Sequence, residues 1–226
     1  GVGEHSHDLR LHFEDAAGFG WTVGESRFDW KKLVAAKEQE ITRLEGLYQK
    51  GLNNAGAEIL HTRAELVGPN TVRLSDSGKT VTAERIVIAV GGHPTPHDAL
   101  PGHEHCISSN EAFDLAELPK SILIAGGGYI AVEFANVFHG LGVETTLIYR
   151  GKEILSRFDQ DLRRGLHAAM EEKGIRILCE DIIQSVAVDG EGRRVAQTMK
   201  HGEIVADQVL LALGRVPNTK GLGLEA

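Results

Sequence analysis

The apolar positions of this 226-residue chain follow two different periods. Ile122-Leu123-Ile124-Ala125 is a short unbroken apolar run between Pro119 and a glycine cluster, the pattern of a strand buried on both faces of a parallel sheet. Beyond the glycines, Ile130, Phe134, Val137 and Leu141 recur at helical spacing and predict one apolar helix face, with Gly142 as the stop. Thr145 to Tyr149 predicts a second strand. Strand, glycine turn, helix and strand in that order make a βαβ unit.

The same reading extends along the chain. Residues 1–27 carry turn residues and histidines with no clear period, and no element is assigned to them. Asp29 caps a predicted helix from Trp30 to about Asn54, with Leu33, Ile41, Leu44, Tyr48 and Leu52 on its apolar face and Gly56 beyond its end. Strands are predicted at Glu58 to Leu66, Thr71 to Leu74 and Thr80 to Ala83, the last two joined by a turn at Asp76-Ser77-Gly78. Arg85 to Val90 is apolar enough for a central strand, and it ends in Gly91-Gly92-His93-Pro94. A proline-containing loop spans 93–106. Ser108 and Glu111 have the spacing of a capping box before a short helix that Pro119 closes. After Arg150, a helix capped by Asp159 is predicted with Leu162, Leu166 and Met170 inward and Gly174 as its stop. Ile175 to Leu178 is a strand, residues 182–199 form a hairpin around Asp189-Gly190-Glu191-Gly192, and Gln208 to Leu213 is a last apolar strand. It ends in Gly214-Arg215-Val216-Pro217-Asn218. The class is α/β.

Composition narrows the function. The chain is 42% hydrophobic and 25% charged, with a formal net charge of −8, enough to bury a core and without a basic stripe for nucleic acid. No apolar run approaches membrane-spanning length, and no signal peptide is recognised. The two cysteines, Cys106 and Cys179, lie far apart, as expected of a reducing, cytoplasmic setting without a disulfide framework. The chain starts at Gly1 rather than Met and stops just after the Arg-Val-Pro-Asn turn, so both ends are expected to continue into something longer.

The glycine turn carries the chemistry. Gly126-Gly127-Gly128-Tyr129-Ile130-Ala131 is a GxGxxA sequence between a strand and a helix. A pyrophosphate is favoured at such a helix N-terminus, where unpaired N–H groups and the helix dipole face it. Gly126 permits the tight turn, Gly128 lets the backbone approach phosphate, and Ala131 keeps the helix close to the strand. In an NAD-binding unit the second strand ends in an acidic residue that takes the ribose hydroxyls. Here it ends in Tyr149, followed by Arg150, whose guanidinium can hold a 2′-phosphate through two N–H donors. The expected nucleotide is therefore NADPH. The bland alternative for Arg150 is a solvated strand-end charge.

Several stretches carry a resemblance. These are the segment from Gly126 to Gly142, the Tyr149-Arg150 strand end, Ala212 to Thr219, Ile86 to Gly92 and Ser108 to Leu115. Together they resemble the flavoprotein disulfide reductases, and within them the bacterial glutathione reductases, from about Phe13 onward. The resemblance implies residues 1–116 as a partial FAD-binding domain, 117–215 as a Rossmann-like NAD(P)H-binding domain with a parallel sheet plus a β-meander, and 216–226 as the return to the FAD domain. It also implies the cofactors NADPH and FAD, glutathione disulfide as substrate and a homodimer. A hydride passes from NADPH to flavin, and electrons then pass through a redox disulfide to the substrate. Three parts of that pattern are absent from this sequence: the first FAD strand with its glycine fingerprint, the Cys-x-x-x-x-Cys pair, and the downstream domain with its His-Pro and Glu. Gly1 to Leu11 does not match what the family has just before Phe13. The chain alone is thus expected to be catalytically incomplete.

By resemblance, Tyr129 is the lid over the nicotinamide side of the flavin, against a plain packed aromatic. Glu133 pairs in the family with a lysine that this chain lacks, against an exposed helix glutamate. The cofactor-binding set is Gly126, Gly127, Gly128, Tyr129, Ile130, Arg150, Arg157 and Gly214, with Ala64, Gly91 and Gly92 on the FAD side. Thr62 stands where relatives often have glycine. Ser156 stands where relatives have a second phosphate-binding arginine; Arg157, next to it, either reaches the phosphate from a shifted turn or only covers the following helix. Gly214 and Arg215 match the segment near the nicotinamide, against a structural turn.

Among the eleven histidines, His103-Glu104-His105-Cys106 is the densest set and His5 with His7 the next. Neither has the spacing that fixes a tetrahedral metal, and polar residues at the surface are the better account. Cys179 ends a buried-looking strand and reads as a small core residue. Beside the reductase reading stand a sister enzyme of the dihydrolipoamide, mercuric or trypanothione type, and a non-catalytic dinucleotide-binding module.

Overall fold

The computed structural model of the chain describes residues 2–225, with the side chains of all but residues 2–5, 7 and 8. His5 and His7 of the second histidine set thus lie outside the described side chains. In chain order the elements are α1 (Val2–Asp15), a 3-10 turn (Ala16–Phe19), α2 (Trp30–Asn54), β1 (Ala64–Gly68), β2 (Thr71–Leu74), β3 (Thr80–Thr82) and β4 (Gly92–Pro94). A 3-10 turn (His103–His105), α3 (Ser109–Ala112), β5 (Ser121–Ala125), α4 (Tyr129–Gly140), β6 (Glu144–Tyr149) and α5 (Gln160–Glu172) follow. The chain closes with β7 (Arg176–Cys179), β8 (Ile183–Val188), β9 (Arg194–Thr198), β10 (Glu203–Ala206), β11 (Gln208–Leu211) and β12 (Arg215–Pro217). By internal contacts it divides into two units, Gly1–Lys37 with Pro94–Gly214, and Glu38–His93 with Arg215–Ala226.

The first unit is built on a parallel sheet in the order β11-β5-β6-β7. Its strands need both faces covered because alternate residues point to opposite sides. Ile122, Ile124, Leu147 and Leu210 pack with Ala131, Ala135, Phe138 and Met170 of the helices. Leu123, Ala125, Ile148, Val209 and Leu211 pack with Val186, Ala196, Ile204 and Ala206 of an antiparallel meander, in the order β10-β9-β8. This double burial is why Ile122–Ala125 is apolar without alternation. From β5 the chain moves outward to β6 and β7, then returns by the meander to β11 on the other side of β5. The strand order therefore reverses between β5 and β11.

The local signals are explicit. Asp159 caps α5 by accepting N–H bonds from Asp161 at 3.0 Å and Leu162 at 3.4 Å. At α3 the Ser108 N–H donates to the Glu111 carboxylate at 2.7 Å while Ser108 Oγ accepts from the Asn110 N–H at 3.2 Å. Asp189 Oδ1 accepts N–H bonds from Glu191 and Arg193, both at 2.9 Å, and closes the β8–β9 turn.

Two helix faces differ from expectation. In α4 the buried residues are Ala131, Val132, Ala135, Phe138 and Gly140, the first four displaced from the predicted face of Ile130, Phe134 and Val137. The small residues sit nearest the sheet because the helix lies close to it, and the larger ones flank the contact. In α5 Met170 is buried but Leu162, in the first turn, is 66% exposed. Residues 1–27 contain a helix that their pattern did not announce. In α1, Arg10 pairs with Glu14 at 3.0 Å and donates to the Gly140 carbonyl at the end of α4 at 3.2 Å, a cation on a helix C-terminus. Strand β10 was also missed: it is four residues long, and Asp207 divides it from β11 by accepting the Lys120 and Ser121 N–H groups at 2.8 and 3.1 Å.

The second unit holds the antiparallel sheet β1-β2-β3 and the pair β12-β4. The predicted strand from Glu58 begins only at Ala64, because Ala64 opposes Leu74, the last residue of β2; before it, the Arg63 carbonyl accepts the Ser75 N–H at 2.8 Å, and the ladder goes no further. The predicted central strand Arg85–Val90 is not formed. No described strand lies beside it, and Val87 is 87% exposed; an extended segment becomes a strand only when its N–H and C=O groups find a ladder. Helix α2 has the predicted limits, and Asp29 caps it through the Lys32 N–H at 3.1 Å, yet none of its residues is buried. Its first turn belongs to the first unit, where Trp30 Nε1 donates to the Leu115 carbonyl at 2.6 Å and the ring lies 6.4 Å from that of Phe138.

Candidate nucleotide site

The reversal of strand order opens a crevice at the C-terminal ends of β5 and β11, the usual ligand position in an open α/β sheet. The glycine turn stands there. Gly126 is buried with φ +142°, and a Cβ on it would lie 2.4 Å from the Ala212 carbonyl oxygen just beyond β11 and 3.2 Å from the Ala131 methyl. Gly127 is buried against the Tyr149 ring, which a Cβ would meet at 2.5 Å. Gly128 differs: it is exposed, and a Cβ on it would meet nothing within 4 Å. It is the N-cap of α4, and no side chain caps that helix. The first and second glycines are thus demanded by packing, whereas the third faces open space at an uncapped helix N-terminus, where an anion is favoured.

The loop after β6 is fastened to this turn. The Leu155 N–H donates to the Gly127 carbonyl at 2.6 Å, Glu180 to the Gly151 carbonyl at 2.9 Å, and Asp181 to the Tyr149 carbonyl at 3.1 Å. Leu155 holds a left-handed conformation, φ 55°, with its side chain 8% exposed, a cost that the buried contacts and the 2.6 Å bond offset. Arg163 Nε of α5 donates to the Ile154 carbonyl at 2.9 Å and its guanidinium lies 3.5 Å from Glu153. What this loop presents is positive charge. The side chains of Arg150, Lys152 and Arg157 are exposed, and no hydrogen bond or ion pair holds them among the described residues. The acidic neighbour Glu153 is taken by Arg163 and Arg164.

The chain matches the family model described as "Pyridine nucleotide-disulphide oxidoreductase" over residues 8–226. It belongs to that family. Curated relatives include a glutathione reductase of Nostoc sp., 42% identical over 214 residues, 94% of this chain and 46% of the relative. A glutathione reductase of Burkholderia cepacia is likewise 42% identical over 214 residues. The chloroplastic/mitochondrial glutathione reductase of Pisum sativum is 39% identical over 215 residues, 95% of this chain and 38% of the relative. The chain spans about half the length, or less, of the curated relatives it matches.

Of the expected site residues, the structure brings Gly126, Gly127, Gly128, Tyr129 and Ile130 together at the switch point. Gly214, with φ +128° and its carbonyl accepting the Thr95 N–H at 3.0 Å, lies two residues past Ala212. Arg150 follows β6 directly, and Arg157 lies two residues after the fastened Leu155. Tyr129, 55% exposed, begins α4, and Glu133 is exposed one turn on. In the second unit, Ala64 opens β1. Gly91 adopts φ +65° with open space around it, and a Cβ on Gly92 would lie 2.8 Å from the Val216 carbonyl oxygen. The Arg215 guanidinium donates to the Gly92 carbonyl. Thr62 Oγ1 accepts the Asp76 N–H at 3.4 Å.

Sequence reasoning missed Tyr149, Gly151 and Lys152 as parts of the site's frame. A lysine two residues after Arg150 was visible, but its freedom depends on Glu153 being occupied elsewhere. The cysteines are both free, and burial pushes both thiols up, Cys106 to about 11. The His103–Cys106 stretch forms a 3-10 turn in which the Cys106 thiol faces the Gly102 carbonyl at 3.9 Å. Two surface clefts of about 180 and 520 Å³ open at the opposite edge of the sheet, around Ser121, Glu144 and Val205, away from the glycine turn.

Proposed function

We propose that this chain is the NADPH-binding part, with some of the FAD-binding part, of an NADPH-dependent FAD-containing disulfide reductase that acts on glutathione disulfide. The observation that carries the reading is the glycine turn at the strand-order reversal, with Gly128 open at an uncapped helix N-terminus and Arg150, not a carboxylate, following the second strand. When bound, NADPH supplies a hydride and FAD relays its electrons to a disulfide. The chain's own residues bind and orient. The first turn of α4 holds the pyrophosphate, and Arg150 holds the 2′-phosphate, with Arg157 as a weaker helper. Tyr129, exposed at the head of α4, covers the nicotinamide side and swings away on entry, and Glu133 stands one turn behind it. Ala64, Gly91 and Gly92 are the backbone approach to FAD, and Gly214 borders the nicotinamide. Residues 1–116, 117–215 and 216–226 are the corresponding domain segments.

Glutathione disulfide as substrate rests on the three relatives, each named glutathione reductase. The working enzyme is a homodimer, and the cytoplasm, a reducing compartment, suits two unpaired cysteines. The test is to express the gene product in full and follow NADPH oxidation with glutathione disulfide, lipoamide and trypanothione disulfide. The reading expects turnover with glutathione disulfide at least tenfold above the others; turnover with another disulfide only, or with none, would overturn it.

A further inference from the structure

Tyr149 and Gly151 form a wedge whose effect falls on Arg150. The Tyr149 ring fills the places where side chains on two glycines would stand. A Cβ on Gly127 would lie 2.5 Å from its Cγ and Cδ2, and a Cβ on Gly151 would lie 2.5 Å from its Cε1 and 3.0 Å from its hydroxyl oxygen. One edge of the ring therefore meets the phosphate turn and the other meets the loop that carries the free cations. Neither φ is among the positive ones, so no backbone conformation demands glycine at Gly127 or Gly151, and the ring contact alone does. The backbone bonds from Leu155 to Gly127, Glu180 to Gly151 and Asp181 to Tyr149 fix the same three residues from both sides. Arg150 stands between Tyr149 and Gly151, and its side chain has no partner among the described residues. Its backbone is thus held at both neighbours while its guanidinium is left unbound.

We propose that Tyr149 and Gly151 are positioning residues for nucleotide choice: the wedge sets the distance between the helix N-terminus that takes the pyrophosphate and the guanidinium that takes the 2′-phosphate. This rests on the reading of the chain as an NADPH binder. A methyl at Gly151 must push the ring or the loop aside. It moves Arg150 relative to the turn without touching Gly128 or the first turn of α4, so the loss falls on NADPH and spares NADH, which has no 2′-phosphate.

The experiment is titration of the 226-residue chain with NADPH and NADH, for wild type, Gly151→Ala, Arg150→Ala and the double variant, with circular dichroism to check the fold. Gly151→Ala is expected to weaken NADPH about tenfold and NADH less than twofold. In the Arg150→Ala background it is expected to cost NADPH less than twofold more, because the group it positions is gone. Should Gly151→Ala not fold, Tyr149→Leu carries the test by freeing space instead of crowding it, with the same selective loss expected. Equal losses for both nucleotides, or a full further loss in the Arg150→Ala background, would overturn the positioning role. A wild-type chain with no preference for NADPH would instead sink the underlying reading, whereas a preference abolished by Arg150→Ala and untouched by Gly151→Ala would sink only this inference.

Discussion

The Tyr149 ring occupies the space that a side chain on Gly127 would need, 2.5 Å from where its Cβ would stand, while the next residue, Gly128, has nothing within 4 Å. Two adjacent glycines therefore serve different ends. Gly127→Ala overpacks a buried contact and is expected to lower stability by about 1–3 kcal/mol. Gly128→Ala is expected to cost about 1 kcal/mol or less, from the poorer N-cap, while weakening NADPH at least tenfold by placing a methyl where phosphate approaches. Urea denaturation and nucleotide titration of both variants check the pair; a larger stability loss at Gly128 than at Gly127 would contradict the assignment.

Burial sets the chemistry of Cys106. Its thiol is pushed up to about 11, chiefly by desolvation and against the pull of Arg194, so at pH 8 only about a thousandth is thiolate, the reactive form. Alkylation of Cys106 by iodoacetamide is expected to run about a hundredfold slower than that of free cysteine at pH 8, rising about tenfold per pH unit toward 11. Mass-spectrometric labelling reads this directly, and a rate equal to free cysteine would show the thiol to be accessible and ordinary.

Asp181 links the end of β7 to the turn before β10. Its fully buried carboxylate accepts N–H bonds from Ile182 at 2.8 Å and Lys200 at 3.0 Å and lies 2.6 Å from His201 Nδ1. Burial pushes its pKa up, but the bonds from His201, Ile182, Lys200 and Thr198 together outweigh this and hold it below the usual carboxylate range. A folded-state pKa below the unfolded value means that the stabilisation is complete above about pH 4 and is lost as pH falls through the folded pKa. Asp181→Asn is expected to cost about 1–3 kcal/mol at pH 7 and clearly less at pH 2–3. Equal costs at both pH values, from urea midpoints, would remove the carboxylate from the explanation.

How legible these features were depends on whether their causes are local. Asp159, Ser108–Glu111 and Asp189 announce their turns because cap and turn bonds span only a few residues. The Ile122–Ala125 run and the glycine turn were equally readable, since double burial and a tight strand-to-helix turn each leave a composition. Arg85–Val90 was not: its apolarity asks for a central strand, but the ladder partner that would make it one is not among the described residues. The α4 face was misread because close helix–sheet packing selects Ala131 and Ala135, which carry less hydrophobic signal than Phe134 and Val137. Lys152 and Gly151 went unnoticed for the same kind of reason. One depends on Glu153 being engaged by Arg163 and Arg164 from α5, the other on a ring that only the fold brings beside it.

The central claim is that the chain selects NADPH through Arg150. A charge-assisted contact to phosphate contributes about 1.5–3 kcal/mol, roughly ten- to a hundredfold in affinity. The decisive measurement is calorimetric titration of the chain with NADPH and NADH before and after Arg150→Ala. The account predicts a loss of that size for NADPH, a smaller one for Arg157→Ala, and NADH within twofold of wild type throughout. Equal losses for the two nucleotides would mean that Arg150 acts through the fold and not on the 2′-phosphate.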